Sequence, residues 1–362
     1  MLFPLINKNR IVNTFCEISS IDSPSGEEDI IAEKLINLLK GFGLNVFKDD
    51  YGNVIANDGR ANPIMLSAHM DTVEPSRGVV PVVEGNKIVS EGNTIVGADA
   101  KCGISAILEA LQSVKEDKSS IHPIEVVFTK EEEIALLGAR NLDFTKIKSK
   151  EALVFDSEGP PNRIVSMSPT YVSFDISVKG KGAHAGVEPE KGLSAILIGS
   201  HIMSKMPQGR LDGHTTFNVG LVDGGTVRNA VPEDVIIRGE FRTSDNNIII
   251  ELKSNINEAV SSTKKDFPDA LIDLNLNTDF ETYSLDSEDS TFIKVKKAIN
   301  QIGLEPVLKD SGAGTDGNIF RKNRIKAVVV GMGANHMHTL DEYVNITDMF
   351  DAAKVCEKFI LK

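Results

Sequence analysis

The chain has 362 residues, which exceeds one ordinary hydrophobic core, so we expect two domains. Its 41% hydrophobic and 25% charged residues are typical of a soluble globular protein. A net charge of −13 argues against nucleic-acid binding, which needs clustered Lys and Arg, and no apolar run reaches the roughly 20 residues that span a bilayer. The three cysteines are far apart and the first residues lack a secretory signal, so we expect a cytoplasmic protein with reduced thiols.

The first part of the chain alternates between helical and strand patterns. A helix is predicted over residues 5–19, and the spacing of Ser25 and Glu28 predicts a capping box that opens a second helix. The other elements predicted here are short strands on either side of 50–53, buried strands at 63–68, 124–129 and 152–156, and helices over 101–114 and after Glu131. This alternation predicts an α/β fold, with a mixed sheet covered by helices on both faces.

The pattern changes at residue 172, where apolar and polar side chains begin to alternate as in half-exposed strands. Over 172–284 the elements follow the order β-α-β-β-α-β, which is that of a ferredoxin-like α+β sandwich. The α/β pattern returns after residue 287, with helices over 291–302 and 347–361, a glycine-rich loop at 311–317 and a strand at 327–330. We therefore predict one discontinuous domain, 1–171 plus 286–362, and one inserted domain, 172–285.

Acidic and histidine side chains recur where the predicted strands of the α/β part end. They are His69, Asp71, Asp99, the run Glu131–Glu133, Asp156 and His338. The carboxyl ends of parallel strands lie along one edge of a sheet, so these side chains can converge. Each also has an ordinary explanation, such as a helix cap for Asp99 or a solvated charge run for the glutamates. Their coincidence favours a site for a divalent metal, zinc first, with manganese or cobalt as alternatives.

These motifs resemble those of the di-zinc exopeptidase family, which includes peptidase T, aminoacylases, succinyl-diaminopimelate desuccinylase and glutamate carboxypeptidases. The segments that carry the resemblance are His69-Met70-Asp71-Thr72-Val73, Gly97-Ala98-Asp99, Thr129-Lys130-Glu131-Glu132-Glu133-Ile134, Phe155-Asp156, and His338 with Glu342 four residues later. The resemblance covers essentially the whole chain and is strongest to a shorter, peptidase T-like branch. It implies a zinc-dependent metallopeptidase.

The resemblance also implies a metal centre with two zinc ions (Zn2+) per subunit. His69 and Asp156 would bind one ion, Glu133 and His338 would bind the other, and Asp99 would bridge both. Because an imidazole ligand needs a partner to hold its ring, Asp71 would orient His69.

In the same family, the residue at the position of Glu132 is the general base that takes a proton from a metal-bridging water. The family further implies a cis peptide bond between Asp99 and Ala100.

Other matches imply contacts with a small peptide substrate. His184 lies in a loop similar to the family's Gly-x-x-x-His-[Ser/Ala]-Gly segment, whose histidine reaches the active site, often from the partner subunit of a homodimer. Asn229 and Arg242 resemble positions that grip the substrate carboxylate, and an Arg fork suits this role. Gly314 and Thr315 match a substrate-side loop. The inserted domain would then serve as a lid or dimerisation domain, although a polar residue on an exposed strand is the ordinary explanation for Asn229 and Arg242.

The expected activity is release of the N-terminal residue from a tri- or dipeptide. Three alternatives remain open: an N-acyl amino acid deacylase, a carboxypeptidase with the same metal centre, and a catalytically silent metal-binding scaffold. The intact Glu132 argues against the scaffold, because a silent relative is free to lose its base. The chain is shorter than peptidase T, so its preference for peptide length stays open.

Overall fold

The computed structural model describes residues 6–362, which divide into two compact units. One comprises the chain to Met167 together with Ser284–Lys362, and the other comprises Ser168–Tyr283. Each unit buries its own cluster of hydrophobic side chains. The predicted mixed α/β architecture is confirmed. No helix among the described residues is long and apolar enough to cross a membrane.

The first unit contains both long helices and a large sheet. Its helices are α1 (Lys8–Ser19), α2 (Asp29–Gly41), α3 (Ala98–Glu116), α4 (Leu137–Arg140), α7 (Ser290–Gln301), α8 (Asp316–Lys322) and α9 (Ile346–Ile360). Its strands are β1 (Asn45–Lys48), β2 (Val54–Asn57), β3 (Ile64–His69), β4 (Pro81–Glu84), β5 (Lys87–Ser90), β6 (Ile124–Thr129), β7 (Glu151–Ser157), β8 (Arg163–Ser168), β16 (Tyr283–Ser284), β17 (Val307–Asp310), β18 (Lys326–Gly331), β19 (Ala334–Asn335) and β20 (Tyr343–Asn345).

Strand order in this unit places the predicted strand ends side by side. The nine-stranded sheet has the order β1-β2-β6-β3-β7-β18-β8-β16, with β17 beside β8. Strands β3, β6, β7 and β18 run parallel to one another, and β2 runs antiparallel to β6. Every residue of β3 and β6 is buried, as expected for parallel strands covered on both faces. The carboxyl ends of these strands therefore share one edge of the sheet.

Helix α3 packs very closely against this sheet. A Cβ atom placed on Gly103 would lie 2.5 Å from the Cβ of Phe155 and 3.2 Å from the Cβ of Ala68. Only a glycine permits that approach, because real Cβ atoms essentially never come this close to other atoms. The close packing holds the first turn of α3, which carries Asp99, near the ends of β3 and β7.

The predicted capping box at Ser25 and Glu28 is wrong. Helix α2 begins at Asp29, and the Glu28 side chain makes no capping hydrogen bond. The Ser25 hydroxyl instead donates to Asp71 Oδ2 (2.7 Å), and Glu28 Oε1 accepts from the backbone N–H of Glu131 (2.9 Å). Buried carboxylates and amides far along the chain compete successfully for these side chains, because leaving buried polar groups unpaired is costly.

The second unit is an antiparallel sheet with helices on one face. Its strands are β9 (Thr170–Lys179), β10 (Ala183–His184), β11 (Gly209–Arg210), β12 (Thr216–Gly224), β13 (Ala230–Val231), β14 (Asp234–Thr243) and β15 (Leu271–Phe280), and its helices are α5 (Ala195–Met203) and α6 (Asn246–Asp266), with a 3-10 turn at Pro189–Lys191. The main sheet has the order β11-β12-β14-β9-β15. With α5 and α6 this gives the β-α-β-β-α-β connection of a ferredoxin-like sandwich.

The chain enters and leaves the second unit at neighbouring points. Strands β9 and β15 pair along their length, with Tyr171 opposite Phe280. Within this unit the Thr282 hydroxyl donates to the carbonyl of Ser168 (2.6 Å). Within the first unit, the Leu285 N–H donates to the carbonyl of Ser166 (2.8 Å).

Candidate metal centre

One group of metal-ligating atoms lies where β3 and β7 end. His69 is the last residue of β3, and its Nε2 lies 3.1 Å from Asp99 Oδ1 and 3.7 Å from Asp156 Oδ1. All three side chains are buried. Each offers one ligand atom within 4.8 Å of the others, a spacing that suits three ligands of a single ion.

A second group shares one residue with the first. His338 Nε2 lies 3.0 Å from Glu133 Oε1 and 3.3 Å from Asp99 Oδ2. Asp99 therefore presents one oxygen to each group. His69 also forms a third possible group with Glu132 and Glu133. The structure thus brings all five predicted metal ligands together around one central carboxylate.

The turn that carries Asp99 is shaped by its backbone. The Asp99–Ala100 peptide is cis, which confirms that expectation from the family resemblance. Gly97 has a φ of 69°, in the left-handed region that favours glycine. The buried carboxylate of Glu342 accepts hydrogen bonds from the N–H groups of Gly97 (2.7 Å) and Ala98 (3.1 Å). Glu342 follows His338 in the sequence, so one side chain ties the two ligand segments together.

Asp71 organises the opposite side of the centre. Its Oδ1 lies 3.3 Å from His69 Nδ1 and accepts a hydrogen bond from the N–H of Glu132 (3.0 Å). Its Oδ2 accepts from the N–H of Glu133 (3.1 Å). A single buried carboxylate therefore contacts one ligand ring and two residues of the glutamate run.

A short helix follows the glutamate run, as predicted, but the run itself forms a sharp turn. Glu131, Ala135 and Leu136 all have positive φ angles, and only Leu137–Arg140 is helical. Tyr51 donates its hydroxyl to Glu131, which lies 3.2 Å from Lys130 Nζ. The turn costs backbone strain, because non-glycine residues rarely adopt this conformation.

Several carboxylates of the centre are buried close together, which makes their ionised forms unfavourable. Burial raises the pKa of Asp156 well above its usual value, and it does the same for Glu132 with help from the charge of Asp156. Burial also raises the pKa of Glu133. Asp156 Oδ2 is buried without a hydrogen-bond partner. Such an excess of buried oxygen donors fits divalent cations, which would stabilise the ionised forms.

The two histidines and Asp99 shift in the complementary direction. Burial would lower the pKa of His69, but its hydrogen bonds to Asp71 and Asp99 raise it well above 6.5. Hydrogen bonds to Asp99 and Glu133 raise the pKa of His338 to about 10. Burial would raise the pKa of Asp99, but its bonds to both histidines lower it. The protonated imidazoles thus supply positive charge next to the carboxylates, and a bound metal ion would take over that role.

Sequence analysis did not assign a role to Asp316, which also lies among these charges. Its side chain is buried, its Oδ2 accepts a hydrogen bond from the Thr129 hydroxyl, and its Oδ1 has no hydrogen-bond partner. Burial raises its pKa to about 6. The signal that could have found it is its position within the glycine-rich loop, one residue beyond Thr315.

Gly314 and Thr315 lead into α8, where Thr315 is the N-cap. Its side chain accepts from the N–H of Gly317 (3.1 Å), and its own N–H donates to Asn318 Oδ1 (3.1 Å). Thr315 therefore has a structural role at this helix end, and its hydroxyl proton remains available for another acceptor.

The remaining predicted substrate contacts lie in the second unit. The paired strands β10 and β13 bring His184 close to Asn229, whose carbonyl accepts from the N–H of Ala185 (3.0 Å). Arg242 lies on β14, with its Nε 2.9 Å from Glu240 Oε2 and its guanidinium 4.8 Å from the ring centre of Tyr171. Their assignment to the substrate stays a prediction.

A known protein family and several known proteins resemble this chain over most of its length. The model of "Peptidase family M20/M25/M40" matches residues 65–362. The uncharacterised protein YqjE of Bacillus subtilis is 33% identical, with 97% of each chain aligned. The crystal structure of aminopeptidase PepT from Bacillus cereus superposes with a TM-score of 0.84 at 34% identity, and that of a tripeptidase from Staphylococcus aureus with 0.89 at 29%, both over 98% of each chain. The chain therefore belongs to peptidase family M20/M25/M40 and is a peptidase T-like metallopeptidase.

Proposed function

We propose that this protein is an aminopeptidase that releases the N-terminal residue of tri- or dipeptides with the help of two metal ions. The observation that carries the proposal is the shared position of Asp99, which presents Oδ1 to His69 and Oδ2 to His338. Support for the substrate comes from the similar B. cereus aminopeptidase and S. aureus tripeptidase.

The donor set fits two divalent ions of the zinc type, because imidazole and carboxylate ligands are those that zinc prefers in sites without cysteine. His69 and Asp156 would hold one ion, Glu133 and His338 the other, and Asp99 both. When bound, the pair of ions polarises the scissile carbonyl and lowers the pKa of water.

Glu132 is the proposed general base. Its side chain is buried, and its backbone is fixed by the hydrogen bond to Asp71, so its carboxylate has little freedom to move away. In this role it accepts a proton from the attacking water and later gives it to the leaving amine. Asp71 acts through others: it orients the His69 ring and positions the Glu132 backbone.

The loop before α8 is a proposed substrate contact. Gly314 adds no side chain, so a peptide backbone could approach the loop closely. The hydroxyl proton of Thr315 could donate to a substrate carbonyl or carboxylate while its oxygen still caps the helix. His184, Asn229 and Arg242 are proposed as further substrate contacts, and dimerisation through the second unit as a further property, on the family resemblance alone.

A peptide panel tests the proposal. Purified, zinc-reconstituted protein would be assayed on free di- and tripeptides, on the same peptides blocked at either end, and on N-acetyl amino acids. We expect cleavage that needs a free N-terminus, releases the first residue, and disappears with a chelator. Release of the last residue would make the protein a carboxypeptidase, and hydrolysis of N-acetyl amino acids a deacylase. No turnover with two metals bound would leave a silent scaffold.

A further inference from the structure

A basic surface lies at the amino ends of the parallel strands, opposite the metal centre. Ile64, Glu151 and Lys326 are the first residues of β3, β7 and β18, and all three line a cavity of about 590 Å³. At roughly 3.3 Å per residue, strands of six or seven residues separate this edge from the metal-donor edge by about 16–20 Å. The surface is therefore distinct from the metal centre.

Eight Lys and Arg side chains line this cavity and a second one of about 430 Å³, and two of them, Lys358 and Lys362, lie near the end of α9. We call the other six the basic cleft: Lys148, Lys150, Lys294, Lys297, Arg324 and Lys326. His122 and Lys294 line both cavities, so the two adjoin. Among the residues that line the two cavities, the single acidic one is Glu151, and its carboxylate is already paired with Lys294 and with the Ser290 hydroxyl (2.7 Å).

The other five cations of the basic cleft have no partner. Within residues 6–362, no hydrogen bond or ion pair involves the side chains of Lys148, Lys150, Lys297, Arg324 or Lys326. The chain has 52 acidic and 39 basic residues, yet no described carboxylate pairs with these five cations. Like charges held together raise the energy of the folded protein unless an anion neutralises them.

The positive charges also lower the pKa of His122, which lines both cavities. Burial lowers the pKa of His122, and the ammonium groups of Lys294 and Lys362 lower it further. Lys358 and Lys362 have an ordinary explanation, because cations stabilise the carboxyl end of a helix and α9 ends at Ile360. That explanation does not extend to Lys148, Lys150 or Lys326, which lie at strand starts.

We propose that the basic cleft binds a compact polyanion with two or more phosphate groups. Five unpaired cations exceed what one carboxylate or monophosphate can neutralise, and lysine and arginine are the side chains that bind phosphate oxygens. The larger cavity falls within the roughly 300–1,000 Å³ of small-molecule sites. The smaller cavity adds an apolar wall of Ala298, Phe359 and Leu361, against which a base or other ring could lie.

Isothermal titration calorimetry on the full-length, zinc-loaded protein tests the proposal, with tripolyphosphate, ATP and AMP as probes. We expect tripolyphosphate and ATP to bind with one-to-one stoichiometry and AMP to bind at least about tenfold more weakly. Tighter binding of ATP than of tripolyphosphate would identify a nucleotide ligand, and equal binding would identify the phosphate chain alone as the recognised group.

The double variant Lys150→Glu/Lys326→Glu should raise the Kd for tripolyphosphate at least about tenfold. The matched control is Lys264→Glu/Lys265→Glu, which makes the same change of charge at exposed positions on α6 and should leave the Kd unchanged. Both variants have the same metal centre, so any chelation of zinc by the probes affects both equally. Equal Kd values for the two variants, or no binding to the unmodified protein, would overturn the proposal. Circular dichroism would establish that both variants fold.

Discussion

The carboxylate of Asp71 holds the backbone N–H of Glu132 at 3.0 Å. The same carboxylate accepts from the N–H of Glu133 (3.1 Å) and from the Ser25 hydroxyl (2.7 Å), and it lies beside the ring of His69. The proposed base, Glu132, and two proposed ligands, His69 and Glu133, are thus all in contact with the same buried carboxylate. A displacement of Asp71 would therefore impair both proton transfer and metal binding.

Asp71→Asn tests this coupling. An asparagine has only one oxygen acceptor, so one of the two backbone N–H groups loses its acceptor and the carboxylate charge beside His69 is removed, while His69 Nδ1 keeps the backbone carbonyl of residue 71 at 2.9 Å. We expect metal affinity to fall about 10–100-fold and kcat to fall with it. Metal content after dialysis and steady-state kinetics measure the two effects. Ser25→Ala, which removes one donor but keeps the carboxylate, should have a smaller effect on both; normal metal affinity in Asp71→Asn would contradict the role.

Glu132→Gln separates proton transfer from metal binding. The substitution keeps the size and the backbone contacts of the side chain but removes its basicity. We expect two metal ions to remain bound while kcat falls by about 10²–10⁴. Elemental analysis and peptide hydrolysis would be measured on the same sample. Activity near that of the unmodified protein would show that another group takes the proton.

Asp99→Asn and His338→Ala should differ in metal stoichiometry. Asp99 presents an oxygen to both donor groups, whereas His338 contributes to one. We expect Asp99→Asn to weaken both ions and His338→Ala to release mainly one. Competition with a coloured zinc chelator would resolve the two affinities, and an unchanged second site in Asp99→Asn would rule out a shared ligand.

Metal binding should stabilise the protein more at pH 8 than at pH 5.5. The pKa values of Asp156, Glu132 and Glu133 are raised in the folded state, so their contribution to metal-free stability is present below the unfolded values of 3.8–4.5 and is lost as pH rises. The pKa of His338 is raised from 6.5 to about 10, so its contribution to metal-free stability is likewise lost as the pH rises through that range.

The lowered pKa of Asp99 contributes stability above 3.8, and that contribution is already complete in this window. Thermal unfolding with zinc and with chelator at both pH values measures the difference. A metal-induced rise in Tm that is equal at pH 5.5 and 8 would contradict the assignment of these raised pKa values.

Gly103→Ala tests the packing beneath the site. The new methyl would collide with Phe155 and Ala68, so α3 must move away from the sheet and take Asp99 with it. We expect a loss of about 1–3 kcal/mol in the free energy of unfolding, together with weaker metal binding. Gly41→Ala is the control, because a Cβ there meets nothing within 4 Å; it should change stability by less than about 1 kcal/mol. Urea denaturation measures both.

The strands of the first unit were predictable because β3, β6 and β18 are almost entirely buried and consist mostly of apolar residues. Their shared direction then explains why donors far apart in the sequence meet at one edge. The candidate acidic and histidine side chains followed from this logic, and the proposed ligand set and the roles of individual residues followed from the family resemblance.

Other features depend on contacts that no local pattern contains. Glu342 binds N–H groups 245 and 244 residues earlier in the chain, and Asp316 pairs with Thr129, 187 residues away. Ser25 and Glu28 have the spacing of a capping box, but their side chains form hydrogen bonds with residues far along the chain instead. Short strands such as β4, β5 and β17 were missed because each has only four residues, few of them buried, and so gives too weak an alternation.

The chain enters and leaves the second unit at adjoining points, and this affects which changes of sequence the protein can tolerate. Thr282 contacts Ser168 within the second unit, and Leu285 contacts Ser166 within the first, so the entering and leaving segments of the chain are neighbours. A segment whose ends meet can be lengthened, exchanged or replaced by a short loop without altering the register of the strands that flank it. The second unit can therefore diverge in sequence and size between related proteins while the strand ends that carry the proposed metal ligands stay in place.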